Sequence, residues 1–291
     1  MTTDGGLQQY AIHDGIYVVP RMDTMLGFDA NALLADLATY PVRREGDAIA
    51  WGAPQWVHGT HKALNYRGHA LKRMKMWFQL DGPRENGFVK YYYTGWQHAV
   101  LPATAPAERC PELQPIWHAY NRSFAPTHGF MGANHAIVTR YEDGDHNIGA
   151  HSDKAKSIAP STAEATSAIT VVKLGPSARR FTIEHLDGTL LLDRVLPPGT
   201  GVIMSLEANL QTKHAVPRVP HCGPSGSIVF RTITERVSWE RHARKMGKCC
   251  DCCGHEYDDE GGVEDPCLCW CDKCHQRASV CRYACPYYQQ Q

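Results

Sequence analysis

His151 and Asp153 stand two residues apart in "YEDGDHNIGAHSDKAKSI". On an extended strand, residues i and i+2 project from one face, so both side chains can address one point. A third ligand is available in "LQTKHAVPRVP", where His214 is flanked by strand-compatible residues. One carboxylate and two imidazoles on one face of a metal leave three coordination positions open, the set used by non-haem Fe(II) oxygenases. A second concentration of ligand chemistry lies near the C-terminus. Cys110 and Cys222 stand alone, and the other cysteines crowd between Cys249 and Cys285. Clustered cysteines with no secretion signal point to metal rather than to a disulfide framework.

The elements that must carry these residues can be read from periodicity and punctuation. "HAIVTRY", "SAITVVKL", "RFTIEHL", "TLLLDRVL", "GVIMSL", "QTKHAVP" and "SIVFRTI" are strand-like runs. They are separated by turn formers such as Asp143-Gly144, Gly175-Pro176, Asp187-Gly188 and Pro197-Pro198-Gly199. Short strands at such regular spacing predict a double-sheet β roll or barrel, not a parallel α/β sheet. Upstream, Leu33, Leu34 and Leu37 behind Asp29 predict an amphipathic helix over 30–39. A second helix is expected over 111–122, "PELQPIWHAYNR". Between the helices, residues 56–78 interleave aromatics with basic residues.

Bulk composition excludes little. The chain has 291 residues, 43% hydrophobic and 21% charged, which is ordinary globular composition. Lys plus Arg equals Asp plus Glu at 30 each, so any nucleic-acid affinity must come from a local basic patch. The first residues hold no apolar signal core and no run reaches membrane-spanning length, so the chain reads as intracellular, without a membrane partner. In a eukaryote, action on DNA would place it in the nucleus.

Residues 134–233 resemble the catalytic core of the AlkB family of Fe(II)/2-oxoglutarate dioxygenases. The resemblance rests on "TRYEDGDHNIGAHSDK", "AITVVKLGPSARRFTI", "KHAVP" and "SIVFRTI", in family order and spacing. It implies a mainly β fold with flanking helices (α+β), built on a double-stranded β-helix, or jelly roll. It further implies that His151, Asp153 and His214 hold iron, that Arg231 pairs with the far carboxylate of 2-oxoglutarate, and that Tyr141 hydrogen-bonds the same co-substrate. The implied chemistry consumes O2 and 2-oxoglutarate, releases succinate and CO2, and hydroxylates a methyl group. An N-methyl would then be lost as formaldehyde, whereas a C-methyl would remain as hydroxymethyl.

Three positions depart from the family pattern. AlkB proteins carry R-x5-R on the last strand; here Arg231 keeps the second arginine and Ser225 replaces the first, so co-substrate binding must be reorganised. Thr139 stands where asparagine is common. Ala155 stands where DNA-repair members have an acidic residue that reads the damaged base. This shifts the expectation from 1-methyladenine and 3-methylcytosine toward bases such as 5-methylcytosine or N6-methyladenine, and toward the related TET/JBP proteins.

Three units are expected. Residues 1–130 would carry helices and a nucleotide-recognition lid, 131–240 the jelly-roll core, and 241–291 a Cys-rich zinc segment. In the lid, Lys62, Arg67, Lys72, Arg73 and Lys75 would contact phosphates, and Tyr91 and Tyr93 would stack bases. Zinc would be held within Cys249, Cys250, Cys252, Cys253, Cys267, Cys269, Cys271, Cys274, Cys281 and Cys285, with pairing open and an Fe–S cluster as the alternative. The expected partner is DNA with a flipped or single-stranded methylated base, or RNA, and the protein reads as a monomer. Hydroxylation of a protein or small molecule, or nucleic-acid binding by a degenerate oxygenase core, are the alternatives.

Overall fold

A computed structural model describes residues 6–50, 52–61, 64, 70–82, 86–91 and 100–238. Lys62, Arg67, Tyr93 and all ten clustered cysteines lie outside them. The strands, in chain order, are β1 (Ala11–His13), β2 (Ile16–Val19), β3 (Val42–Arg43), β4 (Trp56–Val57), β5 (Met74–Gln79), β6 (Phe88–Val89), β7 (Thr104–Pro106) and β8 (His135–Tyr141). They continue with β9 (Ile148–His151), β10 (Ala168–Leu174), β11 (Arg179–His185), β12 (Leu190–Leu196), β13 (Gly201–Ser205), β14 (Thr212–Val216), β15 (Ser225–Arg231) and β16 (Arg236–Val237).

Strands β8 to β15 form the jelly roll. One sheet runs β13-β10-β15-β8 and the facing sheet runs β12-β11-β14-β9, so successive strands alternate between the two except for the β11–β12 hairpin. Pairing within these eight strands is antiparallel throughout. The larger sheet is extended on one side by β2 and β1, on β13, and on the other by β5, β4 and β3, with β7 also on β5. A separate pair joins β6 to β16.

The larger sheet is covered on both faces, which explains why its strands read as continuous apolar runs. The burial pattern of β10 is unbroken along "AITVVKL". Side chains still alternate. Ala136, Val138, Val172, Ile228 and Phe230 point outward to the helix Ala30–Leu37 and the helical stretch from Gln114 to Thr127. There Phe230 stacks on Tyr120, with ring centroids 4.9 Å apart, and Asp29 caps the first helix by accepting from the Asn31 and Ala32 amides. The opposite parity, including Ile169, Val171 and Tyr141, faces the second sheet and its residues Phe181, Ile183 and Val216.

Part of the basic, aromatic 56–78 stretch is built into the larger sheet. Residues 74–79 form β5, a buried strand paired with β8, and Trp56 and Trp77 lie in the core.

Candidate metal and ligand site

His151 and His214 meet by register. They are directly opposed on the antiparallel pair β9 and β14, with ring centroids 4.4 Å apart. Asp153 follows just beyond the end of β9, and its Oδ1 lies 4.0 Å from His151 Nε2. One ligand atom from each of the three residues lies within 4.8 Å of the others. Asp153 and His214 are buried, whereas the His151 side chain is 40% exposed.

The surrounding bonds fix each donor. His151 Nδ1 is 2.8 Å from the Gly149 carbonyl. A carbonyl can only accept, so Nδ1 carries the proton and Nε2 presents its lone pair. Asp153 Oδ2 accepts from Arg231 Nε at 2.8 Å and Nη2 at 2.6 Å, and Tyr91 donates to Oδ1 at 3.1 Å. The Asp153 backbone is clamped by Asn209, whose side chain accepts from its amide at 2.8 Å and donates to its carbonyl at 3.1 Å. Burial alone would raise the Asp153 carboxyl, but Arg231, His214 and His151 outweigh it and hold the group well below the usual range. Burial, helped by His151, pushes His214 down to about 3, so its imidazole stays neutral and available as a ligand. Two neutral imidazoles and one carboxylate, with an open side and no thiolate, fit a divalent iron better than a closed zinc site.

Loop geometry delivers this set. Asp143 Oδ1 accepts from the Asp145 and His146 amides, making the turn before β9. Gly144 packs so tightly against the Val219 carbonyl that a Cβ would collide with it. Arg179, fully buried on β11, donates to the carbonyls of Asp143, Gly144 and His146 and so ties the turn to the second sheet.

A cavity of about 770 Å³ opens beside the three ligands, between the two sheets. Its apolar walls include Ile137, Val171, Phe181, Val216 and Val229. Asp153 is the one acidic residue among the described residues lining it, against Lys72, Arg73, Lys75, Lys154, Lys173 and Arg231. An anion is therefore the favoured guest.

The expected site residues distribute unevenly around this cavity. Thr139 and Tyr141 line it, both buried on β8. Arg231 lines it too, and its Nε and Nη2 donate to Asp153 Oδ2, because the loop after β9 brings that carboxylate against the guanidinium. Lys75 is 8% exposed on β5, inside the cavity rather than along a surface strip, and burial with Arg73 and Arg231 nearby drives its pKa well down. Tyr91 is likewise built into the site rather than offered to a base: Arg231 sits over its ring at 4.8 Å and His135 stacks on it. Lys72 and Lys154 are exposed at the rim, and Arg73 Nη1 donates to the Asn147 carbonyl at 3.0 Å, joining two rim segments.

Sequence reasoning missed Asn209, Arg179 and Lys173. For Lys173 a signal existed, because it is the one charge in the otherwise unbroken apolar strand β10.

No protein-family model matches the chain, and no curated protein matches it. Among solved structures, the chain is similar to that of OsALKBH1, at 14% identity over 75% of this chain and 96% of that one, with a TM-score of 0.43. It is similar to a 2OG-Fe(II) oxygenase family oxidoreductase from Burkholderia pseudomallei, at 16% identity over 81% and 94%, with a TM-score of 0.45. It is also similar to a Pseudomonas putida prolyl-4-hydroxylase, at 12% identity over 76% and 94%, with a TM-score of 0.35.

Proposed function

We propose that this protein is an Fe(II)/2-oxoglutarate-dependent dioxygenase acting on the methyl group of a modified base in DNA or RNA. The observation that carries the reading is the convergence of His151, Asp153 and His214 at the wall of a cationic cavity inside a jelly roll. These three residues would hold iron. Iron(II), when bound, supplies O2 activation, coupling oxidation of 2-oxoglutarate to succinate and CO2 with insertion of one oxygen atom into a C–H bond of the substrate.

The chain's own residues do the positioning. Arg231 and Tyr91 hold the Asp153 carboxylate in one orientation, and Asn209 holds its backbone. The Gly149 carbonyl fixes the His151 tautomer. Val171, Phe181, Val216 and Val229 keep the interior apolar and limit water near the reacting groups. A nucleic-acid substrate is supported by Lys72 and Lys154 at the rim, where phosphates would lie once a base enters the cavity. Ala155 brings no carboxylate to read a base methylated on a ring nitrogen, such as 1-methyladenine or 3-methylcytosine, which favours a base such as 5-methylcytosine or N6-methyladenine.

The test is incubation of the protein with Fe(II), 2-oxoglutarate and mixed methylated DNA and RNA oligonucleotides, followed by nucleoside mass spectrometry. The expected result is loss of one methylated nucleoside, or its hydroxymethyl form, matched by succinate and abolished in His214→Ala. Succinate formation with no nucleoside change would overturn the nucleic-acid part of the reading.

A further inference from the structure

The cavity end away from the metal ligands contains a group of buried polar atoms that the fold leaves without partners. Lys173 is 2% exposed on β10, lines the cavity, and has no ion-pair partner among the described residues. Its charged or titratable neighbours are Arg179, a like charge already engaged with backbone carbonyls, and Cys222. Its Nζ lies 5.4 Å from the Phe181 ring centroid and 6.0 Å from that of Tyr141. Among the described residues, the Tyr141 hydroxyl and Ser225 Oγ are buried with no hydrogen bond in normal geometry, and Ser227 lies beside Tyr141.

Register brings these groups together. Lys173 is paired with Ser227 across β10 and β15, and Tyr141 is paired with Ser225 across β8 and β15. An unpaired ammonium and an unsatisfied hydroxyl inside a protein each cost stability, so Lys173 and Tyr141 lining one cavity mark a seat for an anion. Phe181 links the two groups: its ring stacks on His214, with centroids 6.0 Å apart, and its centroid lies 5.4 Å from Lys173 Nζ.

We infer that Lys173, with the hydroxyl of Tyr141, binds the second carboxylate of a short 2-oxo diacid whose keto-acid end lies at the His151, Asp153 and His214 site. This rests on the co-substrate reading above and refines it. The charge that Ser225 lacks is supplied from the neighbouring strand, and Arg231 is released to hold Asp153. Specificity for a dicarboxylate over a monocarboxylate then resides in Lys173.

Calorimetric titration of the full chain loaded with Mn(II), a redox-inert stand-in for iron, tests this without turnover. The ligands are 2-oxoglutarate and 2-oxopentanoate, which has the same chain length but ends in a methyl group. Wild type should bind 2-oxoglutarate at least roughly tenfold more tightly, as expected for a charge-assisted contact in a dry site. Lys173→Met should erase that preference by weakening 2-oxoglutarate alone, and Tyr141→Phe, which removes only a hydroxyl, should reduce it several-fold. Preference retained in full by Lys173→Met overturns the inference while leaving the co-substrate reading intact. No preference in wild type overturns both. Circular dichroism melting of each variant checks that it is folded before titration, and should Lys173→Met not fold, Tyr141→Phe decides. Unchanged preference there counts against the seat.

Discussion

The two ends of the cavity are built on opposite principles. At the metal-ligand end, Asp153 is held by Arg231, Tyr91 and Asn209, and His151 by the Gly149 carbonyl. At the other end, Lys173 and Tyr141 are just as deeply buried, but among the described residues the Lys173 ammonium has no ion-pair partner and the Tyr141 hydroxyl no hydrogen bond. The first end is preorganised, so a metal meets ligands already oriented, with little reorganisation to oppose binding. The second is incomplete without a ligand and trades stability of the free protein for affinity. One cavity thus separates the demands of geometry from those of recognition.

Substitutions at the two ends should therefore move stability in opposite directions. The largest effect is expected from Asp153→Ala. It removes a metal ligand and leaves Arg231 buried beside no carboxylate, which should cost about 3–5 kcal/mol on urea unfolding and abolish metal retention in a metal assay.

Lys173→Met should do the reverse, raising stability of the metal-free protein by about 1–3 kcal/mol at neutral pH by removing an unpaired buried charge. Burial and the nearby Arg179 lower Lys173 from 10.5 to about 8. Between these values the folded protein has released the proton and the unfolded chain still binds it, so wild-type stability rises with pH. The advantage of Lys173→Met over wild type should shrink from pH 8 to pH 10.5. A pH-independent advantage would show that charge is not its cause.

The smallest effect is expected from Asn209→Ala, which removes the clamp on the Asp153 backbone but no ligand. A loss of about 1–2 kcal/mol and weaker metal binding, with the metal still bound, would place Asn209 as a positioning residue.

The jelly roll was legible because its strands are punctuated by turn residues whose conformational demands are local. All seven strand-like runs between 134 and 233 coincide with strands, with β9 added between the first two. His151, Asp153 and His214 were legible because spacing and chemistry restricted the choice. The missed features depend on non-local pairing. Strand β5 carries Lys75 and Gln79 among four apolar residues and was read as part of a lid; its pairing with β8 buries Lys75 as well as Trp77. Arg231 was rightly seen as a cation facing the site, but its partner is fixed by a loop from the other sheet. Asn209 lies on the helix Leu206–Gln211, far from Asp153 in sequence, and no local pattern announces the contact.

The opposition of His151 and His214 across β9 and β14 has a mechanical consequence. Strand β9 is four residues long and sits at the edge of its sheet, the place where strands fray or slip most easily. A slip of one residue would turn His151 outward and Ala150 inward, destroying the ligand set. An ion gripping both histidines therefore works as a pin through two adjacent strands. The free energy of binding it becomes, in part, the energy that keeps this edge of the jelly roll in alignment.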